Sequence, residues 1–146
     1  MANIVLNVPT EHVNISPALF REFARQYLQC ESSFVTDAPY SPVPYFLVCR
    51  AIELELKAKH LEAKSRLQVK KQYGHNLLKL YDQLPALSKT LEALERQELA
   101  RASEIYDIPN KGFEYVSVYD ALTGLKHFPS LPLLKHIAAK LANNDA

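Results

Sequence analysis

The chain has 146 residues, 48% of them hydrophobic and 23% charged, with a formal net charge of +1. That length suits one domain, which on folding buries a little under ~70% of the surface of its unfolded chain. So apolar a composition excludes a disordered chain, and the near-zero charge excludes a global field drawing the protein to nucleic acid or an acidic membrane.

No apolar run approaches the roughly 18 residues of a membrane span, and the first residues lack the basic region of a secretion signal. The two cysteines, Cys30 and Cys49, form no C-x-x-C pair. Both are expected to be buried thiols in a reducing compartment, with the cytoplasm as the expected location.

Residues 1–15 read as an N-terminal arm, with weak alternation at Ile4, Leu6 and Val8 that Pro9 stops. A single helical domain is expected over 16–146. Ser16 and Pro17 open a first helix, in which Phe20, Phe23, Ala24, Tyr27 and Leu28 share one apolar face. Pro39, Pro42 and Pro44 make a stiff connector. The second helix follows, running to Ala63 or Lys64. Leu47, Ala51, Leu54, Ala58 and Leu61 form one of its stripes, and Tyr45, Cys49, Ile52 and Leu56 the opposite one. A helix apolar on two sides belongs at the centre of a bundle.

A basic connector then carries the chain to Gly74 and His75, where a third helix is expected antiparallel to the second, with Leu77, Leu80, Tyr81 and Leu84 inward. A fourth is expected over 88–106, with Leu91, Leu94, Ala102 and Ile105 inward and Glu98 interrupting the stripe; Pro109 closes it. Residues 110–128 read as an extended excursion rich in aromatic and β-branched side chains. A last helix starts at Ser130, with Leu134, Ile137, Ala138 and Leu141 inward. The expected fold class is all-α, an up-and-down bundle of four to five helices.

Charge is uneven along this frame. Between Lys57 and Lys71 stand six cations and one anion, Glu62; between Glu92 and Asp107 stand five anions and two cations. The basic segment is either a solvated helix end or an anion-binding patch.

Five histidines are present, none paired at zinc-hydrolase spacing, and no complete nucleophile, phosphate-loop or dinucleotide motif occurs. Neither a metal nor a cofactor is expected. Cys49 with His75 is the one conceivable nucleophile pair, set against Cys49 lying on an apolar stripe.

Two constellations remain. Along the second helix Arg50, Glu53, Lys57, His60 and Lys64 form a polar ridge. Glu53 and Lys57 stand at the i, i+4 spacing of an intrahelical pair. The ridge is either a salt-bridged face or a groove in which Arg50 and Lys57 hold a phosphate. The second constellation is Lys70, Lys71, Gly74, His75 and Asn76, an anion-binding turn or a capping segment. Candidate ligand-binding residues are therefore Arg50, Glu53, Lys57, Lys71 and His75, and none is assigned as catalytic.

The stretch 45–59 (YFLVCRAIELELKAK) and the stretch 71–80 (KQYGHNLLKL) resemble the HEPN superfamily of nucleotide-binding helical domains. There a helix with E-x-x-x-K leads through a basic connector to G-H-[DN]-L, here Glu53, Lys57, Gly74, His75, Asn76 and Leu77. The stretch 111–115 (KGFEY), with Leu131-Pro132 and a closing amphipathic helix, looks like the tail of small bacterial HEPN-like proteins.

The resemblance implies an up-and-down bundle, a homodimer, and a nucleotide, RNA or protein partner, in a toxin–antitoxin or phage-defence setting. The family's RNase motif, an arginine four to six residues before a histidine, is missing. Arg50 precedes His60 by nine intervening residues, and Arg66 precedes His75 by eight. The resemblance thus implies a non-catalytic module. The alternatives are an RNase with rearranged residues, drawing on Arg50, His60 and His75, or a purely structural interaction domain.

Overall fold

A computed structural model of the chain describes residues 16–107 and 111–143. Those residues form seven α-helices and no strand: α1 (Ser16–Ser33), α2 (Val43–Leu61), α3 (Arg66–Tyr73), α4 (Leu77–Asp82), α5 (Ala93–Tyr106), α6 (Val118–Leu122) and α7 (Leu131–Asn143), with a 3₁₀ turn at Ala86–Ser88. The protein is all-α. None of these helices is long and apolar enough to cross a membrane. The expected arm over 1–15 and the expected stop at Pro109 lie outside the described residues.

The central position of α2 follows from its two apolar stripes. Val48, Cys49, Ala51, Ile52, Leu56 and Ala58 are fully buried, because α1 covers one side while α4 and α7 cover the other. Its entry uses the connector prolines: Pro44 falls in the first turn, where no backbone N–H is needed. The pairings Arg21–Glu62 and Arg50–Tyr27 show α1 and α2 antiparallel. In the same way Asp82–Arg96 and Leu78–Ser103 set α4 antiparallel to α5, and Glu98–Ser130 and Glu95–Lys140 set α5 antiparallel to α7. The stripe of α7 packs as expected, with Leu134, Ile137, Ala138 and Leu141 fully buried.

Five expectations are corrected. The basic connector contains a helix, α3. Ser65 and Gln68 close a reciprocal capping box at its start: the Gln68 amide donates to Ser65 Oγ at 3.2 Å, and the Ser65 amide to Gln68 Oε1 at 2.9 Å. Because α3 is inserted there, the next segment runs parallel to α2, with His75 beside Glu53 and Leu80 beside His60. Gly74 ends α3 at φ +55°, a conformation side-chain-bearing residues rarely adopt, and Asn76 Oδ1 then caps α4 by accepting from the Lys79 amide at 2.9 Å.

In α5 the buried position is Leu99, while Leu94 is 74% exposed. Glu98, which interrupts that stripe, accepts from the Ser130 amide at 2.6 Å and so caps α7. The segment 111–128 is not extended. It turns, forms α6 and turns again, pinned by Phe113 and Phe128, whose rings pack on Tyr45 and on each other at 5.0–5.6 Å. Finally, Cys49 is buried as expected, but Cys30 is exposed.

Two leucines in one helix thus provide an internal control. Leu99→Ala leaves a cavity and lowers unfolding stability by about 2–5 kcal/mol, whereas Leu94→Ala changes it by less than about 0.5 kcal/mol. Urea titration of the two variants checks this, and equal effects would refute the orientation of α5.

Candidate functional site

The polar ridge of α2 divides around one buried carboxylate. Glu53 has no exposed side-chain surface, and both its oxygens are saturated. Oε1 accepts from Lys57 Nζ at 2.8 Å and His75 Nδ1 at 2.5 Å; Oε2 accepts from Arg50 Nη1 at 2.8 Å and the Tyr106 hydroxyl at 2.5 Å. A carboxylate offers about four acceptor sites, so the group is fully used.

Arg50 and Lys57 come from the same helix, one turn before and one turn after Glu53, Tyr106 from the last residue of α5, and His75 from the link between α3 and α4. Three of the five expected site residues, Arg50, Lys57 and His75, therefore converge, and they do so on the fourth, Glu53. Lys71 points elsewhere: it is exposed and does not line the groove described below, whereas its neighbour Lys70 does.

Electrostatics follow from burial and pairing. Burial by itself would push the Glu53 carboxyl up. The charge and hydrogen bond of Lys57, the Tyr106 hydroxyl and Arg50 outweigh it, and the carboxyl titrates below its usual range. For Arg50, burial pulls down, but the Glu53 carboxylate prevails and raises its pKa. Tyr106 is pushed up, first by burial and then by the adjacent negative charge. The hydroxyl is therefore a fixed donor and no acid at neutral pH.

Beside this node lies a groove of about 620 Å³ between α1, α2 and α3, within the usual size of small-molecule sites. Arg50, Lys57, Arg66, Lys70 and His75 line it, with Phe20 as an aromatic wall and Leu61, Leu67 and Val69 as apolar surface between them. Among the described residues no carboxylate lines it, and Arg66 and Lys70 have no acidic partner. Glu53 offsets one of the two charges on Arg50 and Lys57, so the groove stays net positive.

The other ridge residues go elsewhere. His60 is buried two turns further along α2, donating from Nε2 to the Leu80 carbonyl at 2.8 Å and packed on the Tyr73 ring at 4.3 Å. Burial first, and the charge of Lys64, hold its pKa down despite that bond. Lys64 donates to the Tyr73 hydroxyl at 2.7 Å. The Arg50, His60, His75 set needed by a rearranged RNase is thus not brought together.

Cys49 is fully buried, and burial, helped by the Glu53 charge, pushes its thiol up, so it cannot serve as a nucleophile with His75. Among the described residues no cluster of histidine, cysteine and carboxylate side chains could hold a metal ion.

Sequence reasoning missed Tyr106, Arg66 and Phe20 as members of this region. Tyr106 reads as the end of a helix, and only the tertiary fold brings it to a carboxylate 53 positions earlier. For Arg66 a signal exists: the Ser65-x-x-Gln68 capping box starts a helix there and points its first residue at α1. No family model matches the chain, and comparison with curated proteins and with solved structures yields no match either.

The node predicts a pH-dependent stability. Because the folded carboxyl titrates below its unfolded value, its contribution is complete above the ordinary carboxylate range and is lost as pH falls through the folded value. Glu53→Gln is therefore less stable than the native chain by about 3 kcal/mol at pH 7, the low end of the cost of breaking a buried pair. That gap narrows steadily as the pH is lowered towards 3. Tyr106→Phe costs about 1.5–3 kcal/mol, a hydrogen bond to a buried charge. Denaturant titrations across pH test both, and a gap that widens in acid would refute the ionised, four-donor carboxylate.

Proposed function

We propose that the protein is a non-catalytic HEPN-like helical module that binds a phosphate-bearing partner, a nucleotide or an RNA, in the groove between α1, α2 and α3. The observation that carries this reading is the lining: Arg50, Lys57, Arg66, Lys70 and His75 around one concavity, with no carboxylate on its surface among the described residues. A phosphate entering there meets several charge-assisted donors at once. The Glu53 carboxylate holds Arg50, Lys57 and His75 in place before any ligand arrives, which reduces the ordering cost of binding.

The antiparallel pairs α1–α2, α4–α5 and α5–α7 support the up-and-down bundle of that superfamily, from which the inserted α3 makes one departure by returning the chain so that α4 runs parallel to α2. The convergence of Glu53, Lys57 and His75 supports it also, since the resemblance rests on those positions. A cytoplasmic toxin–antitoxin or phage-defence role remains part of this proposal, and its support is the resemblance alone.

The test is thermal unfolding with inorganic pyrophosphate and with a short RNA. At a hundredfold excess over Kd a ligand stabilises by about 2.7 kcal/mol, so Tm rises by several degrees. Arg66→Ala and Lys70→Ala, both exposed in the native chain, leave the ligand-free Tm unchanged and abolish the rise. The RNA is recovered intact. Cleavage that disappears in His75→Ala would overturn the non-catalytic reading and favour the rearranged RNase.

We also propose a homodimer. Tyr115, Val118, Tyr119 and Leu122 are 60–79% exposed in one short segment, and contiguous apolar surface of this kind marks contacts. Light scattering at micromolar to millimolar concentration should give the dimer mass, and a monomer mass throughout would refute it.

A further inference from the structure

The cationic groove continues past Arg50 and Arg66 into a second cavity of about 470 Å³ on the flank of α1, and the two cavities share Phe20, Arg50 and Arg66. Their linings differ in kind. The first sets Lys57 and Lys70 beside the two shared arginines, together with the aliphatic Leu61, Leu67 and Val69. The second presents the rings of Phe20, Phe23 and Tyr27, with Leu54 beneath them and Gln26 at the side.

Phe23 is 43% exposed, although its spacing in the sequence places it on the apolar face of α1. No neighbouring helix among the described residues covers it. Each arginine on the boundary lies over a ring, Arg50 over Tyr27 and Arg66 over Phe20, both at 5.9 Å. Aromatic faces and guanidinium planes are the surfaces on which nucleobases stack.

Gln26 adds a direction. Its amide nitrogen donates to Glu22 Oε1 at 3.1 Å. A carboxylate only accepts, so that bond fixes the nitrogen towards Glu22 and turns the amide oxygen away from it. Among the described residues that oxygen has no donor.

We propose that the second cavity seats a nucleobase carrying an exocyclic amine, stacked beside Phe23 and donating to Gln26 Oε1, while the attached phosphate occupies the cationic groove. This rests on the phosphate-binding reading and narrows it to an amino-bearing nucleotide unit, free in solution or at the end of an RNA strand. A bare polyanion or a sugar phosphate fills only half of the site.

Calorimetric titration of the full chain with ribose 5-phosphate, AMP, UMP and a 5′-phosphorylated oligoadenylate tests this. AMP is expected to bind roughly tenfold more tightly than ribose 5-phosphate, the gain of a single stacked base, with UMP weaker than AMP. Phe23→Ala, at an exposed position, removes the advantage of AMP and leaves ribose 5-phosphate binding as it was. Gln26→Leu brings AMP down to the level of UMP.

A gain of oligoadenylate over AMP assigns the unit to an RNA end, and equal affinities assign it to a free nucleotide. Equal binding of AMP and ribose 5-phosphate to the native chain would overturn the base seat while leaving the phosphate groove standing. Binding of none of the four probes would overturn both.

Discussion

A carboxylate removed from water must be matched by donors or the fold loses several kcal/mol, and at Glu53 that requirement organises the molecule. Two donors, Arg50 and Lys57, come from its own helix, and helical spacing alone delivers them. The other two, His75 and Tyr106, come from segments that reach the site only when α3 has turned back and α5 has packed. One ionised group therefore sets the position of the α3–α4 link and the end of α5 relative to α2. It also fixes the side chains that give the adjacent groove its charge.

The elements around the groove divide the work between rigidity and access. α2 is buried on nearly every side and cannot move without disrupting the core, so Arg50 and Lys57 are presented from a stiff support. α3 buries only Val69 and Tyr73 and turns its cations to solvent. It is joined to α4 through Gly74, around whose missing side chain the space is open. The wall carrying Arg66 and Lys70 is thus the lightly anchored one, and local opening concentrates where few apolar contacts are made.

Much of this was readable from residue spacing. The two stripes of α2 and the single stripe of α7 specify burial directly, because period and burial coincide there. The Glu53–Lys57 pair is dictated by the helix, whereas the contact of His75 with Glu53 depends on α3, which the spacing does not show. What resisted reading had physical causes. The charges of α3 masked a helix whose one clear signal is the Ser65–Gln68 box. In α5 the acidic residues Glu95 and Glu98 turn inward to hold Lys140 and to cap α7. The apolar period is shifted there, so that Leu99 and not Leu94 enters the core. Phe23 and Cys30 sit on a helix whose partner covers only part of its face, and the sequence of α1 does not say how wide that partner is.

The double-sided packing of α2 also bears on how the chain is made. One flank of α2 is covered by α1, its immediate predecessor, and can close as soon as α2 leaves the ribosome. Most of the other flank waits for Leu134, Ile137, Ala138 and Leu141, which are translated only after α3 to α6. In that interval a sticky strip including Ile52 and Leu56 faces solvent, and non-native associations have their best opportunity. The helix that makes the bundle stable when finished is therefore the part of the nascent chain most in need of protection.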